Sequence, residues 1–374
     1  MDNKKKGIGI FIAAILAISV FGITMASAAL LPFFQTGNLF VLEGGSNDVI
    51  IITPGGNIEV VLTGAEIGAF TGVGTAGFDE RGIAFDDTGH LFFAEDDSDS
   101  ILKWTLGAGL SWVVTEAQIM AATGDTEADP QGIAFGSDGF LYVNDAYNDS
   151  VLRIDTTTNT VGVYVSKATL EALPGITSAD LHASIIGGPG GVVYTASDGD
   201  PDAIFAIASG GVPSVLTSDP AFSDLDVFMT RAPNGDLIIC DNSGGDIIYR
   251  VDPSTGTVST FLTEAQILAA IGDPGQTDVD LEGGIAFDSR GYFYLAEENS
   301  DNIGKFDSAG NGQIFVSETD IEAVTGEGAD LEGGIAFAPA PPAVPALTPI
   351  GLIALIGLLS VIAAMSIKIR KRRE

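Results

Sequence analysis

Short runs of alternating or wholly apolar residues follow one another from residue 37 to residue 338, each closed by glycine, aspartate or asparagine. One period reads GIAFGSDGFLYVND, then a polar turn, then SVLRID and VGVYVS. Such runs are too short for helices and rich in β-branched and aromatic residues, so the pattern predicts an antiparallel meander with tight turns. Ile-Ala-Phe recurs at 83–85, 133–135, 285–287 and 335–337, with 50 residues separating the copies within each outer pair. The long gap between the pairs holds two degenerate copies, Ser184-Ile185-Ile186 ahead of Gly191 and Phe228-Met229-Thr230 ahead of Gly235. Four strands in roughly 45 to 50 residues is the period of a β-propeller blade.

The string LEGGIAF is spelled at 281–287, where a full repeat follows, and again at 331–337, where the chain turns at once into APAPPAVP. The first repeat, by contrast, has second, third and fourth strands from Gly37 to Gly72 but no first strand. The orphan segment at 332–338 is expected to supply it, which joins the two ends in one sheet and leaves no inner edge unpaired. The predicted fold is an all-β, six-bladed propeller over 37–338, with blades at about 37–72 plus 332–338, 76–124, 128–175, 180–223, 224–272 and 280–326. Five of the fourth strands lead into a second signature that starts at Thr63, Thr115, Ser166, Thr263 and Ser317. In three of these a Glu or Gln stands three positions later, a capping box that opens a short helix between blades.

The ends change the picture. Lys4, Lys5 and Lys6 precede an apolar run that closes on Ala26-Ser27-Ala28, the order of a secretory signal over 1–28. A Pro-rich linker, 339–349, leads to the uncharged stretch 350–367, which reads as a transmembrane helix, and the basic tail 368–374 would keep the C-terminus in the cytoplasm. This arrangement resembles the tripartite sorting tails of archaeal and bacterial surface proteins. The resemblance implies either a substrate of an archaeosortase- or exosortase-type sorting enzyme or a plain membrane anchor, with the propeller on the extracellular face of the cell membrane. Between 29 and 349 only eight Lys and Arg remain against 48 Asp and Glu, a balance of about −40. Such a surface repels phosphate backbones, so no nucleic-acid partner is expected; it also suits a salty habitat. Cys240 is the only cysteine, which excludes an intramolecular disulfide and leaves Cys240 as a small core residue.

The repeat resembles the NHL family, whose Gly-Ile-Ala, Asp-Gly, Leu-Tyr-Val-Ala-Asp and basic-ended third strand are matched at Gly132–Asp155 and Gly284–Asp307. More distantly it is similar to the regucalcin and gluconolactonase six-bladed enzymes. In a propeller the first strand of each blade lines the channel, and here the residues just before it are acidic. They read Asp180-Leu181-His182, Asp224-Leu225-Asp226, Asp280-Leu281-Glu282 and Asp330-Leu331-Glu332, with Asp79-Glu80 and Asp129-Pro130 in the other two blades. The second strands return to the same face and end in Glu43, Glu95, Asp145, Asp241 and Glu297, an outer acidic ring. Carboxylates so crowded either hold protons or surround a hard cation such as Ca2+. The resemblance to regucalcin-like enzymes implies a divalent ion in the channel and singles out Glu332, Glu282, Asp226 and His182, with Asp280 and Asp180 beside them. Any one strand-end carboxylate could instead cap backbone N–H groups.

Other candidates are Asn148, the acceptor of a glycosylation triplet, and the acidic turn 198–202, which lacks the twelfth-position Glu of an EF-hand. No Ser-His-Asp order, phosphate loop or Cys/His zinc spacing is present. Two functions follow. The first is a surface-anchored binding or scaffold module for a protein or glycan partner, with Ca2+ at its channel mouth. The second is an extracellular metal-dependent lactonase- or lyase-like enzyme of the gluconolactonase type. Convergence of the His182 ring with two or more of Asp226, Glu282 and Glu332 on one point would favour the enzyme, and outward splaying the binding module.

Overall fold

The computed structural model describes residues 37–225, 227–243 and 245–339. The expected signal, the apolar stretch 350–367, the basic tail, all but the first residue of the linker, and Asp226 lie outside the described residues. Among the described residues no helix is long and apolar enough to cross a membrane.

Six four-stranded antiparallel sheets make the six blades. The last strand, Ile335–Phe337, is the inner strand of blade 1 and pairs with Leu39–Glu43 in the register Leu39↔Phe337, Phe40↔Ala336 and Val41↔Ile335. The ring is closed by the exchange that the two LEGGIAF strings predict. In blades 2 to 6 the inner strands are Ile83–Phe85, Pro130–Phe135, Ile185–Gly187, Met229–Arg231 and Ile285–Phe287. In every blade the pairing of third with fourth strand slips by one residue at the same place, for example between Ile101 and Leu102 or Val151 and Leu152. A bulge adds local twist, and six identical ones give each blade the same propeller pitch.

The glycine that begins each Gly-Ile-Ala-Phe has a packing reason. Around the channel neighbouring inner strands touch backbone to backbone: Gly82 N–H donates to Gln131 O (3.0 Å), Gly334 N–H to Arg81 O (2.9 Å) and Gly284 N–H to Gly333 O (3.2 Å). A Cβ on Gly82 would lie 2.6 Å from Ile133 N, and one on Gly284 2.4 Å from Ile335 N. Any side chain there would force adjacent blades apart.

Between blades the sheets pack face to face. All five residues of Leu39–Glu43 are buried because both faces of the strand are covered. Leu39 and Val41 join Tyr294, Ile303 and Val316 of blade 6, whereas Phe40 and Leu42 join Phe78, Phe93 and Leu102 of blade 2. Cys240 is fully buried in the core that blades 5 and 6 share, and burial pushes its thiol up.

Five short helices follow fourth strands: α1 (Gly64–Thr71), α2 (Glu116–Thr123), α3 (Lys167–Glu171), α4 (Glu264–Ile271) and α5 (Glu318–Thr325). Glu66, Gln118 and Gln266 accept the amide of their N-cap threonines at 3.0 to 3.1 Å, as their sequences predict. A fourth box appears at Ser317, where the shorter Asp320 does the same at 3.3 Å. No helix follows the fourth strand of blade 4 (Val212–Thr217).

Candidate functional site

The lead-ins to the inner strands and the ends of the second strands share one face of the disc. Glu43, Glu95, Asp145, Asp241 and Glu297 end their second strands there, and none is more than 2 % exposed. Each accepts the amide of a residue just ahead of its own blade's inner strand: Asp330 N to Glu43 (3.0 Å), Gly77 N to Glu95 (3.0 Å), Asp129 N to Asp145 (2.8 Å), Ser223 N to Asp241 (3.0 Å) and Asp280 N to Glu297 (2.9 Å). In blade 4 the hydroxyl of Ser197 takes the same place and accepts Asp180 N at 2.9 Å. Three of the acids also gather the following turn, Glu43 through Ser46 N, Glu95 through Ser98 N and Glu297 through Ser300 N. The outer ring is thus a ring of buried caps whose oxygens are spoken for.

One residue further on, the chain turns toward the mouth. Here stand Asp96, Asp198, Asn242 and Glu298, of which only Asp198, in the acidic turn 198–202, stands out in the sequence. Asn242 donates to Glu282 Oε1 (3.1 Å) and accepts Leu281 N (2.9 Å). Asp280, Glu282 and Glu298 each offer an oxygen within 4.8 Å of the other two. Burial first, then Asp280, Glu282 and Glu332, push Glu298 up to about 9. Burial, Asp330 and Asp79 push Glu332 up to about 7, and burial and Asp280 raise Glu282. At neutral pH Glu298 therefore holds a proton that the surrounding carboxylates share. Its Oε2 is buried and has no hydrogen-bond donor.

Of the residues singled out by the sequence, Glu282, Glu332 and Asp280 come together, with Glu298 and Asp79 added. His182 does not join them. Its Nε2 lies 3.1 Å from Asp180 Oδ1 and its ring faces Glu80, while Nδ1 is buried without a partner. Glu80 is raised by burial and links the two halves of the mouth, since it faces both His182 and Glu282. Arg81, only 5 % exposed, bridges Asp96 and Asp129 and closes the mouth between blades 2 and 3.

Behind the acids the channel is a cavity of about 330 Å³ walled by the Ile, Ala and Phe of the inner strands. Among the described residues Arg231 is the one charged residue of that wall, at the far end. A larger open cleft, about 530 Å³, lies beside blades 5 and 6 around Phe261, Phe287, Tyr292, Arg250 and Arg290. Its cations follow the repeat. Arg250 stacks on Phe261 as Lys103 stacks on Phe92 and Arg153 on Phe140, one basic residue on each of those third strands. Asn148 is half-buried, its amide nitrogen donating to Asp145 (2.9 Å) and Asp125 (3.0 Å). In the acidic turn 198–202, Asp200 O accepts Thr177 N (2.7 Å), which pins the turn to the preceding loop.

No protein-family profile matches the sequence, and no curated protein does. By structure the chain is similar to a chain of a nidogen–laminin complex, with 13% identity and a TM-score of 0.57 over 82% of this chain and 99% of that one. It is also similar to a streptogramin B lyase, with 15% identity and a TM-score of 0.53 over 81% and 87%. A putative gluconolactonase aligns over 64% and 78% with 13% identity, at a TM-score of 0.43 that carries no argument. At such identities the first two likenesses establish the six-bladed fold and nothing of the chemistry.

Proposed function

We propose that this chain is a binding or scaffold propeller displayed on the outer face of the cell membrane, with Ca2+ held at its acidic mouth and a protein or glycan partner seated over it. The observation that carries this reading is the convergence of Asp280, Glu282 and Glu298 above an apolar channel. Three oxygens within 4.8 Å of one another can share one ion at the 2.3–2.6 Å bond lengths of Ca2+, and Glu298 offers an oxygen that no donor satisfies. Glu332 and Asp79 stand next to the group and would complete an all-oxygen set. An ion there would replace the shared proton and fix the lead-ins of blades 1, 2 and 6 as one rigid rim.

The metal-dependent lactonase or lyase reading asks for a base beside the metal and reactive groups within reach of a substrate. His182 is paired with Asp180 instead of turning to the acids. Among the described residues the channel wall behind the rim carries no carboxylate or histidine, so any base would have to come from the rim acids themselves. This favours the binding module. Export, the membrane anchor and handling by a sorting enzyme rest on the sequence of the two ends.

Calorimetric titration of the EGTA-stripped full-length chain tests the proposal. Affinities of extracellular modules fall near 10⁻⁴–10⁻³ M, so the expected result is saturable Ca2+ uptake of about that strength. The double variant Glu282→Gln/Glu298→Gln should lose one site and with it any Ca2+-dependent retention on immobilised surface glycans or envelope proteins. Unaltered stoichiometry in the double variant would overturn the reading.

A further inference from the structure

The turn between second and third strands places a residue in the left-handed region in five blades: Asn47, Asp99, Asp149, Asp246 and Asp301, with φ between 37° and 57°. Four of the five are aspartates, and each lies at the seam where its blade meets the next. In blade 3, Asp149 Oδ1 accepts Leu181 N from the lead-in of blade 4 (3.0 Å), while its Oδ2 receives the ammonium of Lys167, the first residue of α3. In blade 6, Asp301 Oδ1 accepts Leu331 N from the lead-in of blade 1 (3.0 Å). At the seam of blades 2 and 3, Arg81 brings a guanidinium between Asp96 and Asp129. Each of these seams brings an amide, a lysine or an arginine to its carboxylates, although burial still raises Asp301 to about 7 and Asp99 to about 6.

The seam between blades 5 and 6 has none of these. The equivalent amide, Leu281 N, is taken by Asn242. The position of Lys167 is filled by Glu264, the first residue of α4. Asp246 is left 4 % exposed, with no hydrogen bond to its carboxylate and no basic residue paired with it among the described residues. One of its oxygens, one of Glu264 and one of Asp278 lie within 4.8 Å of one another. A buried carboxylate without a donor is costly to keep ionised, and burial together with Asp278 and Glu264 pushes Asp246 up to about 7.

We infer that Asp246, Glu264 and Asp278 form a second divalent-cation site, a Ca2+ clasp that joins blade 5 to blade 6 where the Asp149–Leu181 contact, braced by Lys167, joins blade 3 to blade 4. Three hard oxygens at this spacing suit Ca2+; the shorter bonds of Mg2+, about 2.0–2.1 Å, would require the acids to draw closer. Glu264 is half-buried and Asp278 exposed, so the ion has an open path and can keep water ligands. The clasp shares no residue with the group at the channel mouth, although Asp280 of that group lies two residues after Asp278 and also acts on Asp246.

The repeat itself supplies the test. Glu264→Lys installs at this seam the ammonium that Lys167 provides at the other. In EGTA this variant should melt at or above the wild-type temperature, and in millimolar Ca2+ it should bind one ion fewer and gain less in Tm. Asp246→Asn should lose the same ion and serves as the control that adds no positive charge. Wild type should gain a few degrees from Ca2+ at a hundred times Kd, and Mg2+ at the same concentration should give a clearly smaller rise. Glu282→Gln/Glu298→Gln must leave this component intact, which separates failure of the clasp from failure of the mouth. Full Ca2+ stoichiometry and an unaltered Tm gain in both Glu264→Lys and Asp246→Asn would overturn the proposal.

Discussion

Glu297 and Glu298 are neighbours in sequence and opposites in circumstance. Glu297 is wholly buried, yet its oxygens accept Asp280 N, Ser300 N and the amide of Gln276. Glu298 is more open to water but faces Asp280, Glu282 and Glu332. The contrast is sharpest where Glu282, Glu298 and Glu332 face each other; elsewhere Arg81 answers Asp96 and Asp129, and His182 stands beside Asp180. Burial alone therefore does not say which carboxylate seeks a cation; the supply of N–H groups does.

The largest effect should come from removing an outer acid. Glu95→Ala strands the amides of Gly77 and Ser98 in a buried site and is expected to cost about 3 kcal/mol in urea unfolding, whereas Glu298→Ala should cost far less. A smaller effect is expected where the cap is neutral. Ser197→Ala leaves Asp180 N and Gly199 N without their acceptor, at about 1 kcal/mol by the same measurement. If Ser197→Ala cost as much as Glu95→Ala, charge would add nothing to the outer ring.

The smallest effect concerns pH. Glu298 binds its proton more tightly in the folded protein, at about 9 against an ordinary 4.5, so its contribution to stability is full below about pH 4.5 and is lost as pH climbs through about 9. In chelator the Tm of wild type should decline across that window and that of Glu298→Gln should decline less. The difference will be modest, because water at the open mouth screens the repulsion. Parallel profiles for the two proteins would remove Glu298 as the shared-proton site.

Much of this architecture is legible in the chain because the repeat is written in backbone requirements. Gly284 and Gly334 must be glycine where strands touch, and Ile335 must match Val41, so the closure can be read from two copies of one heptapeptide. The capping boxes are equally local, although Asp320 shows that the Glu or Gln rule is too narrow. The mouth was legible by half. Glu282 and Glu332 declare themselves ahead of each Gly-Gly pair, but Glu298 hides behind Glu297. It emerges only when the residue after each second strand is aligned as a column: Gly44, Asp96, Ala146, Asp198, Asn242, Glu298. His182 stands in the same column as Glu282 and yet pairs with Asp180, a choice set by side-chain geometry that no spacing encodes. The Asp246 seam could not be seen at all from one repeat, since it gathers a turn and a helix start from blade 5 and a lead-in from blade 6.

The strand that completes blade 1 is separated from its partner by nearly the whole domain: Val41 waits for Ile335. During synthesis, residues 39–43 therefore emerge with an open, apolar edge long before their neighbour exists. A chain that stops short of the final repeat keeps that edge bare, and an unpaired apolar strand edge is a template for aggregation that the finished chain has covered.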